Sequence, residues 1–226
     1  MGNLPAERLN PAPPFYTTGV DYAGPFLIKD KDGRGYKLKK CYISLFVCFS
    51  TRAVHLELVS DLTTEAFLAS FRRFIGRRGN PAQTFSNNGK NYVGASAKLK
   101  LFLEENAHKL TRSIENEYIS WSFIPACSPQ FGGLWVAGVQ STKYHLQRVA
   151  GNARLSFEEF YTLLVQIEAV LNSRPMSPLS NDPSDFSALT PSHFLIGRSI
   201  VQLAQLDLTD VPMNRLSHFQ RIQQLQ

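Results

Sequence analysis

The sequence predicts an α/β fold in which a five-stranded mixed sheet is flanked by helices. Three observations carry that prediction. Three strand-like runs follow one another in hairpin succession near the start of the chain. Two further short runs come later, each reached through a stretch with apolar residues at helical spacing. The composition, 43% hydrophobic over 226 residues, is sufficient to bury one good-sized core.

The first 14 residues, "MGNLPAERLNPAPP", are rich in Pro and Asn and read as an extended arm ahead of a core over 15–172. "FYTTGVDYAGPFLI" is a strand with Asp21 near its middle, and the Asp32-Gly33 pair in "KDKDGRGY" signals a hairpin turn. From Tyr36 to Ser50 the chain is almost continuously apolar, as in a strand covered on both faces. "AVHLELV" alternates, with Val54, Leu56 and Leu58 on one face, which leaves Glu57 as a solvent-side charge.

"TTEAFLASFRRFIGRRG" is the first long helix, with Phe67, Leu68, Phe71, Phe74 and Ile75 as its apolar stripe, stopped by Gly79 and Pro81. "AQTFS" is a fourth strand. A weaker helix is expected over 95–110, with Leu99, Phe102, Leu103 and Leu110 on its buried side, and "YISWSFIP" is a fifth strand. After the loop "CSPQFGG", the runs "LWVAGVQSTKYHLQRVAG" and "SFEEFYTLLVQIEAVLN" are helices, the second opening on a Ser156/Glu159 capping box. Residues 173–226 form a Pro-rich tail expected to wrap the core with little regular structure. It ends in the start of an amphipathic helix carrying Leu216, Phe219, Ile222 and Leu225.

The formal net charge of +6 leans toward a polyanionic partner. Cys41 and Cys48 fall seven residues apart on one strand, too far to bond to each other, and Cys127 makes the count odd. Buried thiols in a reducing compartment are therefore expected, without a zinc site. No apolar run reaches the roughly 18 residues of a membrane span, and no leader pattern opens the chain, so an intracellular protein is expected. The histidines at 55, 108, 145, 193 and 218 show no shared metal spacing, and Trp121 and Trp135 read as core.

The element order is that of the ribonuclease-H-like fold. The segments "GVDYAGPF", "AVHLELVSDLTTEAFLASFRRFIGRRG", "FIPACSPQFGGLWVAGVQSTKYHL" and "LTPSHFLIGR" resemble the integrase catalytic core of Bel/Pao-type long-terminal-repeat retrotransposons, over nearly the whole chain. The resemblance implies metal-assisted phosphoryl transfer, in which two Asp and one Glu hold a pair of divalent ions. The first Asp is present as Asp21. The second belongs in a Ser-Asp-Asn-Gly turn, but the turn here is "SNNG" with Asn87 at that place. The Glu should follow "GGLW", where this chain has Val136. Asp21 alone is expected to bind magnesium weakly at best, and Asp61, Glu65 and Glu57 are the acids that could substitute.

In such a core the helix positions four and seven beyond the Glu face DNA, and here they are Gln140 and Lys143. Arg72, Arg73, Arg77 and Arg78, with Lys37, Lys39 and Lys40, could neutralise phosphates, although a solvated helix end plus a hairpin is the favoured reading. The family's upstream zinc-binding module and downstream basic β-barrel are expected to be missing. The expectation is a DNA-binding, integrase-derived core without catalysis, nuclear only if the DNA binding persists. No cofactor is expected, nor a membrane or a small-molecule substrate; Mg or Mn would serve any activity that remains, and copies of the chain could associate. The competing readings are a residual nuclease or strand transferase using Asp21 plus a substitute ligand, and an element remnant without function.

Overall fold

A computed structural model of the protein describes residues 6–31, 35–106, 119–124, 132–151, 153–182 and 184–200. The elements run α1 (Ala6–Leu9), β1 (Thr17–Lys29), β2 (Leu38–Cys48), β3 (Val54–Val59), α2 (Thr64–Arg78), β4 (Gln83–Ser86), α3 (Lys90–Asn106), β5 (Ser120–Phe123), α4 (Gly133–Ala150), α5 (Phe157–Asn172), β6 (Ser177–Pro178), β7 (Ala188–Leu189) and α6 (Pro191–Ile196). Five strands form one sheet in the order β3-β2-β1-β4-β5, with β2–β3 antiparallel and both β1–β4 and β4–β5 parallel. The mixed sheet is the one the sequence predicts. Hairpin neighbours pair antiparallel, whereas β4 and β5 arrive through helical crossovers and must run parallel.

The chain divides into two compact units, Met1–Ala23 with Tyr42–Val139, and Gly24–Cys41 with Gln140–Gln226. The first holds the aromatic core. Thr63 caps α2 by accepting the Ala66 N–H, and one face of the helix buries Phe67, Phe71 and Phe74. Phe74 stacks on Phe46 of β2 at 4.3 Å, and Trp121 of β5 packs on Phe67 and Phe71. On the opposite face of β2, Leu45 and Val47 press against Gly138 of α4, where a Cβ would meet Leu45 at 3.2 Å. Cys41 and Cys48 are buried and free, as expected.

In the second unit, Phe160 of α5 packs on Phe26 of β1 at 5.7 Å, and the Lys29 N–H donates to the Leu155 carbonyl at 2.8 Å. The predicted Ser156/Glu159 capping box opens α5.

Four expectations need correction. The arm is not wholly extended, because Ala6–Leu9 forms a helical turn. Glu57 is not solvent-facing: every residue of β3 is buried, since α2 covers the face that alternation alone assigns to water. The helix expected over 95–110 begins at Lys90, because the Gly89 carbonyl already accepts the Tyr92 and Val93 N–H groups at 3.0 Å each. The tail contains the β6–β7 pair and α6. Phe102 and Leu103 lie on α3, but their side chains, together with Asp32, Gly33, His108, Leu110, Cys127 and the amphipathic segment after 200, lie outside the described residues.

Candidate functional site

β1 and β4 pair in parallel register with Val20 opposite Ser86, which brings the next residues, Asp21 and Asn87, side by side at the sheet's switch point. The Asn87 Nδ2 donates to Asp21 Oδ1 at 3.3 Å, and the same carboxylate oxygen accepts the Tyr22 N–H at 2.8 Å. The other end of the Asn87 amide is occupied, since its Oδ1 accepts the Gly89 N–H at 2.9 Å. That bond fixes the amide's orientation, because an N–H must face the oxygen and leaves the NH2 for the carboxylate. Asn88 ties the turn to the end of β5 through the Ile124 carbonyl at 2.9 Å.

Val136 is placed by a close approach of β1 and α4. Trp135 is buried, and a Cβ on Gly19 would sit only 2.3 Å from its Cε3 atom. Gly19 and Asp21 are two residues apart on β1 and share that face. The first turn of α4 therefore lies over the face that carries Asp21, with half-buried Val136 next in sequence to Trp135. Sequence reading missed this device; its signal is the glycine two residues ahead of the aspartate.

On the other face of β1, Tyr22 stacks on Tyr92 of α3 at 5.5 Å. Burial pushes both phenols well above the ordinary tyrosine range, and for Tyr92 the charge of Asp21 adds to the effect. The Asn91 side chain lies beside both hydroxyls and partly offsets that rise.

The arginines predicted to bind nucleic acid lie over the face of the sheet opposite Asp21. Glu57 is fully buried on β3 and receives Arg73 Nε at 2.6 Å, Arg77 NH1 at 2.8 Å and His55 Nε2 at 3.0 Å. Arg73 also donates to the Leu58 carbonyl at 3.0 Å, and Arg78 donates to His55 Nδ1 at 3.4 Å and covers the Phe15 ring. Burial alone would raise the Glu57 carboxyl, but the hydrogen bonds from His55 and Arg73 outweigh it and hold it below the usual range. Arg72 is exposed beside them, and Gln140 and Lys143 are exposed on α4. Lys37, Lys39 and Lys40 are exposed ahead of and at the start of β2.

The other acids have their own partners. Asp61 accepts the Thr63 N–H at 2.8 Å and its hydroxyl at 2.6 Å, while Glu65 pairs with Lys98. Among the described residues no three His, Cys, Asp or Glu side chains converge as a metal site would require. A magnesium ion wants several oxygen ligands, carboxylates first. One carboxylate, an amide presenting its NH2 and a valine do not fit it.

A five-stranded mixed sheet with its first strand central and helices flanking it has the ribonuclease-H-like fold of integrase catalytic cores. The structure is similar to the HTLV-2 integrase catalytic core domain solved with magnesium, at 15% identity over 83% of this chain and 99% of that one for the dimeric form, with a TM-score of 0.53. The trimeric form gives 16% identity over 81% and 97%, with a TM-score of 0.50. The simian T-cell lymphotropic virus intasome in complex with PP2A regulatory subunit B56 gamma matches at 13% identity over 86% of this chain, with a TM-score of 0.53. This chain covers 59% of the matched intasome chain. No family model matches the sequence, and neither does any curated protein.

Proposed function

We propose that this chain is an integrase-derived core of the Bel/Pao type that binds DNA without cutting it. The carrying observation is the Asn87 amide. It points a donor at Asp21, where a catalytic site of this class would hold a second carboxylate and a bridging metal. Disturbing a single group behind a metal ligand lowers affinity or activity about 10–100-fold, so replacing two ligands outright lowers it by at least roughly 10²–10⁴-fold. Asp61, Glu65 and Glu57 cannot rescue the site without abandoning Thr63, Lys98 and the arginine pair.

Binding is attributed to exposed Arg72, Gln140 and Lys143 on a chain of net charge +6. The forks of Arg73 and Arg77 are committed to Glu57 and contribute less. No metal cofactor belongs to this function, and a DNA-binding chain of this kind would act in the nucleus.

The test is a strand-cleavage and strand-transfer assay in manganese with Asp21→Ala as control, beside a duplex titration at low salt. Binding without cleavage is the expected result. Cleavage abolished by Asp21→Ala would establish a residual nuclease, and absence of binding at low salt would remove the DNA-binding function.

A further inference from the structure

Two features of the second unit complement each other. One is a groove of about 680 Å³ at the end of β1, floored by Phe26, Leu38, Leu146 and Phe160, with Lys143 and Arg154 among its lining. Leu27 and Leu38, which also line it, stay 54% and 40% exposed. Among the described residues no acidic side chain lines the groove. Arg154 NH1 donates to Tyr36 Oη at 2.9 Å, so the groove's two cations line an apolar trough with no carboxylate among the described residues, and that favours an occupant combining an apolar body with negative charge.

The other feature is the connection between β6 and β7. It holds Phe186, whose 94% exposure exceeds that of every other large apolar side chain described. Two carboxylates stand beside it in sequence, Asp182 and Asp185. The loop is braced around them: Asp182 Oδ1 accepts the Ser184 N–H at 2.9 Å and its hydroxyl at 2.8 Å, Asp185 Oδ1 accepts the Ser187 N–H at 2.9 Å, and the Leu179 N–H donates to the Ser187 carbonyl at 3.0 Å. These hydrogen bonds hold both carboxyls below the ordinary range, so both are ionised at neutral pH. A braced loop loses little further freedom on docking. At 94% exposure, Phe186 does not occupy the groove of its own chain.

We propose that copies of this chain associate by seating Phe186 of one copy in the groove of another, with Asp182 and Asp185 against Lys143 and Arg154. The contact joins two different surfaces, so it forms a closed pair if exchange is reciprocal and an open chain or ring if it is not. It does not depend on the state of the metal site, and it shares Lys143 with the surface assigned to DNA.

Light scattering across a protein concentration series reads the association directly. The unsubstituted chain is expected to form larger species as concentration rises. Phe186→Ala, an exposed position whose loss leaves the fold intact, is expected to weaken association about 10- to 100-fold. Leu38→Asp, which places a repelling charge in the groove, is expected to do the same, with circular dichroism confirming that the variant folds. The decisive arm mixes the two variants. Each alone associates only at much higher concentration, but one still has its groove and the other its Phe186, so the mixture is expected to pair one to one. A chain that stays monomeric at every concentration would overturn the proposal. So would association indifferent to both substitutions, or a mixture that fails to pair.

Discussion

Asn87 carries the functional reading because its two amide ends are committed in opposite directions. An aspartate there could keep the Gly89 N–H but would set a second negative charge beside Asp21. In chelator, the double variant Asn87→Asp with Val136→Glu is therefore expected to lower Tm by about 2–8 °C through like-charge repulsion. Manganese or magnesium should restore the loss, and calorimetry with and without the ion checks it. A double variant with no metal-dependent gain would mean that these residues are not the site. That positions 87 and 136 carry no acid was legible in "SNNG" and "GGLWVAG". That the amide oxygen is spent on Gly89 was not, because only the folded turn decides which end of an amide faces the neighbouring strand.

At the scale of elements, two contacts hold the sheet between its helices. Glu57 joins β3 to α2, and its stabilising contribution is present above the ordinary carboxyl value of 4.5 and lost as pH falls below it toward the lowered folded value. Tm should therefore drop more steeply with acid in the parent than in Glu57→Gln. Removing both guanidinium partners, with Arg73→Ala and Arg77→Ala together, strips the buried carboxylate of two charged hydrogen bonds and leaves it beside His55. A loss of about 3–5 kcal/mol in urea unfolding is expected. The second contact is Gly19 against Trp135. Gly19→Ala forces a methyl into a 2.3 Å gap and should destabilise by about 1–3 kcal/mol, with Trp135→Leu in the same chain recovering part of it. Helix and strand existence was readable from periodicity, as the capped α2 and α5 illustrate. The buried state of Glu57 was not: its strand alternates like a half-exposed one, and only packing shows that arginines a full turn apart on α2 come down over it.

For the whole molecule, charge is the property that reaches a partner. If Lys143 meets a DNA phosphate, Lys143→Ala should weaken duplex binding across all sequences and reduce the slope of log K against log salt by about 1. Filter binding at several salt concentrations measures this, and an unchanged slope would take Lys143 off the interface. Lys143 also stands at the rim of the groove assigned to Phe186, so DNA and a second copy would compete for it. The order of strands and helices, the aspartate at 21 and the absence of acids at 87 and 136 were settled by the sequence, since each depends on residue identity or on periodicity along the chain. Which faces are covered, where the Asn87 amide points and which arginines remain free for a partner were decided by the tertiary structure. Those properties depend on residues far apart in the chain, whose meeting is fixed by packing and hydrogen bonding in three dimensions.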